Sequence, residues 1–268
     1  MIGVFDSGLG GLTVLKYFLR DLGEYDYMYF GDSARAPYGP KSQESIYNYT
    51  REVVDFLFSK KCDLIIIACN TASSQALRKI QQEYLPQKYP GKRVLGVVRP
   101  LAEVAVVDKK HKRVGVLATK ATVESGVYKR EIDKLNSNIK VFQKSAPLLV
   151  PLVEENWIKR PETKMILNKY LQPLKEKNID ALILACTHYP FLLQDIRRIM
   201  GKKCEVYNPG KIIARSLAGY IERHRELEIK KSKDKIRKYY TTDDPDKFRE
   251  MGERFLGEKM ESVEKIVL

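Results

Sequence analysis

Short apolar runs alternate along this chain with longer stretches whose apolar positions recur every three or four residues. "IGVF" (2–5), "YDYMYF" (25–30), "LIIIAC" (64–69) and "RVLGVV" (93–98) have the length of strands. Between them, "LTVLKYFLRDL", "SQESIYNYTREVVDFLFSKK" and "TASSQALRKIQQEYL" carry helical spacing. The strand runs place Ile, Val and Leu on consecutive positions, as parallel strands covered on both faces require. Strand and helix in alternation predict an α/β fold, with right-handed crossovers and a doubly wound parallel sheet.

After "YPGKRVLGVVRP" the pattern restarts. "RVGVLA" (113–118) reads as a second opening strand, its Gly115-Val116 matching Gly3-Val4, and "ALILAC" (181–186) answers "LIIIAC". The expected architecture is two pseudo-symmetric, doubly wound parallel-sheet domains with the active site in the cleft between them. The tail, "KYYTTDDPDKFREMGERFLG" followed by a last strand "VEKIVL", is expected to return to the first half. That gives one domain of residues 1–97 plus 208–268 and a second of residues 98–207.

The repetition extends to chemistry. "DLIIIACNTASS" (63–74) and "DALILACTHYPF" (180–191) are two versions of one phrase, and a single offset relates Asp63 to Asp180, Ala68 to Ala185 and Cys69 to Cys186. In open α/β sheets, ligands bind beyond the carboxyl ends of the strands, where both cysteines fall. Helix starts there offer backbone N–H groups and a favourable dipole to an anion, whether thiolate or carboxylate. Two thiols facing one molecule from opposite sides suit the inversion of a carbon, one removing a proton and the other returning one. A hydrolase would use one nucleophile and a base, and a redox pair would need the two sulfurs within bonding reach. Other loops join the same rim. "FDSGLGGLTVLK" brings Asp6 and Ser7 with glycines that admit a ligand close to the backbone, and "YFGDSARAPYG" brings Asp32, Arg35, Tyr38 and Gly39.

Composition narrows the class. A chain of 268 residues, 44% hydrophobic and 31% charged, can bury a sizeable core. No apolar run approaches the roughly 20 residues of a membrane span. The chain opens on a strand-like run without a basic leader, so a cytoplasmic protein is expected. Four cysteines in such a setting are expected as free thiols, with Cys62 and Cys204 incidental. There is no CxxC pair, and His111, His188 and His224 show no ligand spacing, so no metal is expected. The net charge of +14 raises the possibility of a basic nucleic-acid-binding protein. The lysines, however, are spread among glutamates over predicted helix faces, and no nucleic-acid-binding signature accompanies them, so a nucleic-acid partner is not expected.

Taken in order over nearly the whole chain, "FDSGLGGLTVL", "GDSARAPYG", "ACNTAS", "LATKATVESGVY", "LVPLVEE" and "ACTHYP" resemble the glutamate racemases of the aspartate/glutamate racemase superfamily. The "THYP" after the second cysteine separates that resemblance from relatives acting on aspartate or hydantoins, although an aspartate racemase stays as the alternative within the superfamily. The resemblance implies a cofactor-independent homodimer that interconverts L- and D-glutamate and supplies D-glutamate for peptidoglycan. It implies that Cys69 acts on D-glutamate and Cys186 on L-glutamate, with Asp6 assisting the first thiol and His188 the second. It further implies that Asp6, Ser7, Tyr38, Gly39, Asn70, Thr71, Thr119, Thr122, Glu154, Thr187 and His188 surround the substrate. Departures from the family pattern lie away from the paired cysteines: "SAPLLVPLVE" lacks the usual Cys-Pro, Leu101 replaces a usual glycine, and "VEENW" lacks another.

Overall fold

The computed structural model describes residues 1–108, 110–227 and 229–268. The chain runs β1 (Ile2–Asp6), α1 (Leu12–Asp21), β2 (Tyr27–Gly31), α2 (Gln43–Ser59), β3 (Leu64–Ile67) and α3 (Asn70–Gln75). The helix expected after Cys69 as one piece is broken. A short α4 (Leu77–Lys79) passes through a π-helical stretch, Ile80–Tyr84, into α5 (Leu85–Lys88), before β4 (Arg93–Gly96). The first half thus ends two residues earlier than the "RVLGVV" strand expected from β-branched content. Val98 instead opens α6 (Val98–Val107), where Pro100 stands in the first turn and its missing N–H costs nothing.

The second half contains β5 (Arg113–Ala118), α7 (Lys120–Glu124), α8 (Val127–Leu135), β6 (Lys140–Ser145), α9 (Leu149–Glu154), α10 (Pro161–Glu176), β7 (Ala181–Ala185), α11 (Leu193–Met200) and β8 (Glu205–Val206). The tail supplies α12 (Pro209–Arg223), β9 (Arg237–Thr241), α13 (Pro245–Leu256) and β10 (Val263–Lys265). The final strand stops at Lys265, short of the expected "VEKIVL".

Two parallel sheets result, one of six strands in the order β10-β9-β2-β1-β3-β4 and one of four in the order β6-β5-β7-β8. All pairings are parallel. The repeat is therefore topological as well as verbal, because each half sets its second strand beside its first, then its third, then its fourth. In both, the strand order reverses between the first and third strands, which is where such sheets hold ligands. β9 and β10 extend only the first sheet.

The period-two geometry of a strand sorts side chains between two cores. Ile2, Val4, Tyr27, Tyr29, Leu64 and Ile66 enter a cluster that continues into the second domain through α1, α6 and α12. Phe5, Met28, Phe30, Ile65 and Ile67 enter a separate cluster against α2 and α3. Helix starts are fixed by the residues chemistry prefers there. Ser42, Thr119, Asn208 and Asp244 each accept a backbone N–H of the first turn, and Pro209 and Pro245 follow the last two. Among the described residues no helix is long and apolar enough to cross a membrane.

Candidate active site

A cavity of about 240 Å3 lies where the carboxyl ends of the two sheets meet. The first domain lines it with Ser7, Gly8, Ser33, Ala36, Pro37, Tyr38, Gly39, Cys69, Asn70 and Thr71. The second contributes Thr119, Val150, Glu154, Cys186, Thr187 and His188. Each cysteine follows the third strand of its half, Cys69 after β3 and Cys186 after β7. Asp6 and Thr122 do not line the cavity but bond to residues that do. Asp32 and Arg35, placed on the rim by sequence, are likewise behind it. Buried Asp32 accepts the Tyr38 hydroxyl and pairs with Arg35, whose guanidinium also reaches Glu52.

Cys69 is 5% exposed and is the N-cap of α3, its sulfur accepting the Ala72 N–H at 3.4 Å. Its own S–H donates to Ser7 Oγ at 3.5 Å. Burial pushes this thiol up to about 12, and the nearby Asp6 charge acts in the same direction. Asp6 closes β1 and is fully buried, accepting the Gly8 N–H at 3.0 Å and the Thr187 hydroxyl at 3.4 Å. Burial raises its carboxyl, while His188 and the Gly8 and Gly11 amides work against that. The carboxylate thus acts on Cys69 through charge and bonds instead to the residue after Cys186.

Around Cys186 the partners form a chain. His188 Nδ1 faces the Cys186 sulfur at 3.9 Å, and Nε2 lies 2.9 Å from Glu154 Oε1. Burial alone would lower this imidazole, but the bonds to Cys186 and Glu154 outweigh it and raise the group to about 10. These partners favour the imidazolium, whose two N–H groups would point one toward the sulfur and one toward the carboxylate. Phe255 of α13 packs edge-on against its ring, centroids 5.6 Å apart, and Arg254 donates to the Val153 and Glu154 carbonyls that end α9. The tail helix thus braces the His188–Glu154 pair, a contribution the sequence pattern did not signal.

Two further contacts join the domains at the rim. The hydroxyls of Thr71 and Thr119 are 2.9 Å apart, and Thr119 donates to Thr122 at 3.0 Å. Tyr128 of α8, fully buried, donates to Asn70 Oδ1 at 2.5 Å. With the oxygen so engaged, the Asn70 amide nitrogen is free to donate. Tyr128 lies in the quoted "ESGVY", but no feature of the sequence pointed to its partner. Close approach of the two loops also depends on Gly10. A Cβ there would stand 2.2 Å from Thr187 Oγ1 and 2.6 Å from His188 Cε1.

Comparison with known proteins agrees with this arrangement. A glutamate racemase of Geobacter metallireducens is 38% identical over 268 residues, covering 100% of this chain and 96% of the relative. Among solved structures, a glutamate racemase isoform from Bacillus anthracis superposes with a TM-score of 0.91 at 31% identity, covering 100% of this chain and 97% of that one. The glutamate racemase of Francisella tularensis subsp. tularensis SCHU S4, solved in complex with D-glutamate, gives 0.89 at 35% identity, covering 99% and 97%. With residues 14–217 matching its pattern as well, the chain belongs to the Asp/Glu/Hydantoin racemase family.

Proposed function

We propose that this amino-acid racemase interconverts L- and D-glutamate by two thiols, without a cofactor, and so supplies D-glutamate for peptidoglycan. One observation carries the reading: equivalent cysteines of the two half-repeats line a single cavity. Its volume, about 240 Å3, lies below the roughly 300–1,000 Å3 of sites for drug-sized ligands and suits a small amino acid. The domain limits we adopt are 1–97 plus 208–268 and 98–207, in keeping with the membership of the two sheets.

In the proposed reaction Cys186 takes the α-proton of L-glutamate while Cys69 delivers a proton to the opposite face. The surroundings of the two sulfurs support that division. Cys69 is kept as a thiol, ready to donate, whereas Cys186 has a cationic N–H beside it that stabilises negative charge. The roles reverse from D-glutamate. The difficult species is the carbanion-like transition state, which needs fixed donors around the substrate carboxylate in a site closed to water. Asn70, Thr71, Thr187, Ser7 and the Tyr38–Gly39 loop are the candidates to hold the carboxylates and ammonium, with Thr119 and Thr122 tying the two rims together.

The test is a circular-dichroism assay of L- and D-glutamate on dialysed protein without added cofactor, with L- and D-aspartate in parallel. Racemisation of glutamate alone supports the proposal, and preference for aspartate overturns the substrate assignment. The same reading includes a homodimer, which sedimentation velocity would check.

A further inference from the structure

At the other end of the second sheet, two potential ligands from one turn meet a third from a distant strand. His111 lies in the turn between α6 and β5, with Asp108 at the start of that turn, and Glu205 opens β8. One ligand atom from each lies within 4.8 Å of the others. Glu205 pairs with Ala181, the first residue of β7, whereas Cys186 follows the last. At about 3.3 Å per residue, this cluster is roughly 16 Å from the catalytic thiol.

The hydrogen bonds around His111 decide what its imidazole can do. The ring is 1% exposed, and its Nδ1 is 3.1 Å from the Tyr207 hydroxyl. That hydroxyl has one proton and has the Val104 carbonyl as an acceptor at 3.3 Å. With the proton directed to Val104, its oxygen accepts from Nδ1–H and Nε2 is left as the bare lone pair, the tautomer a metal needs. Nε2 is buried, has no hydrogen-bond partner among the described residues, and looks at Glu205 Oε2 from 3.5 Å. A lone pair facing a carboxylate repels it unless a cation lies between them. A tetrahedral ion with bonds of about 2.0–2.1 Å holds its ligands roughly 3.4 Å apart, close to the 3.5 Å between Nε2 and Glu205 Oε2.

We propose that Asp108, His111 and Glu205 bind a divalent transition-metal ion, with water completing its coordination. One imidazole and two carboxylates suit zinc, cobalt, nickel or manganese, whereas magnesium and calcium prefer oxygen alone. The Tyr207 hydroxyl is the outer group that fixes the ligating tautomer. Lys110 competes for the position. Its ammonium lies 2.7 Å from Asp108 Oδ2 and 3.9 Å from Glu205 Oε2, but the side chain is 69% exposed and can swing into solvent. Bound metal would tie the α6–β5 turn to β8 just where the chain turns into α12, stabilising the domain without entering the reaction. The spacing of the histidines alone could not announce the site, because its other ligands are carboxylates and one is remote in sequence.

The experiment titrates EDTA-treated, dialysed protein with cobalt(II), followed by absorption and calorimetry, with magnesium as control. One cobalt per chain is expected, without a thiolate-to-cobalt charge-transfer band. Glu205→Gln and Asp108→Asn should each weaken binding at least about tenfold and leave racemisation unchanged. Lys110→Met should bind several-fold more tightly, because the competing ammonium is gone. Zinc should raise the Tm of the wild type and not that of Glu205→Gln. Failure of the wild type to bind cobalt better than Glu205→Gln would overturn the proposal, as would a charge-transfer band marking the ion as bound to a cysteine thiolate. Failure of Lys110→Met as well as the wild type to bind cobalt would mean that the carboxylates form an ion-pair cluster only.

Discussion

Cys69 occupies a position where a helix ordinarily wants serine, threonine, aspartate or asparagine, and the other side-chain caps of this chain use those four residues. Its sulfur makes a long 3.4 Å bond to Ala72 N–H, so cap strength has been given up for a thiol. Cys69→Ser should therefore separate stability from activity. Racemisation should fall by at least about 10³-fold in both directions, within the range for losing a positioned acid or base. Stability should hold or rise by up to about 1 kcal/mol. A thermal melt beside the racemisation assay reads both, and near wild-type turnover would remove Cys69 from the reaction. His188 offers a second test. L- and D-glutamate have equal free energies in solution, so no substitution can change kcat/KM in one direction only. Isotope effects escape that constraint. In His188→Asn, proton transfer at Cys186 becomes slower, so the effect from α-deuterated L-glutamate should rise and that from the D-enantiomer should fall. Equal changes would show that His188 serves no particular thiol. Stability carries its own signature. His188 is raised from 6.5 to about 10, so its contribution is fully present below pH 6.5 and is lost as pH climbs toward 10. Across that window the wild type should lose stability relative to His188→Asn, as denaturant midpoints at stepped pH would show.

At the scale of elements, the loop from β1 to α1 is where the halves are brought face to face. Thr13 donates to the Thr187 carbonyl at 2.8 Å, Asp6 accepts the Thr187 hydroxyl, and Gly10 leaves the room both contacts need. Gly10→Ala should fold, since both hydrophobic clusters keep all their side chains, but its methyl would push the Thr187–His188 loop outward. KM should rise and kcat fall together by about 10²-fold, the scale of a misplacement near 1 Å. Unaltered kinetics would show that the loop yields without consequence. The same elements show what was legible beforehand. Strands buried on both faces announce themselves as unbroken Ile/Val/Leu runs, and the doubled phrase placed both cysteines at strand ends. The β1–α1 glycines could be tied to a ligand from sequence, but not to a contact between halves. The π-helical break in 80–84 escaped notice because it preserves helical spacing on either side. Val97 and Val98 misled because β-branched residues suit strands, whereas burial holds both at the start of α6. Arg254, Phe255 and Tyr128 reach the site through tertiary contacts between remote segments, for which a single sequence has no local signal.

The whole molecule repeats one topological unit and joins the copies so that equivalent strand ends oppose each other across a cavity. A cavity assembled from two bodies can be dry only when both are docked, and here site residues are among the docking contacts, beside the shared apolar core: Thr71 with Thr119, Tyr128 with Asn70, and Asp6 with Thr187. In the reaction proposed above, loosening of those contacts would admit substrate and release product, and that domain motion would be the slow step. The arrangement also makes a claim about where each proton comes from. If each domain presents its thiol to one face of the α-carbon, a reaction begun from L-glutamate in D2O loses its hydrogen to Cys186 and gains deuterium from Cys69. At low conversion and saturating substrate, the D-glutamate formed should be almost fully deuterated while the remaining L-glutamate stays protiated. A single base moving between faces would return part of the original hydrogen to the product, and it would also wash deuterium into recovered substrate before net inversion. Mass spectrometry of the separated enantiomers distinguishes the two. Substantial protium in early D-product would mean that the two domains do not divide acid from base, and the duplicated strand end would need another explanation.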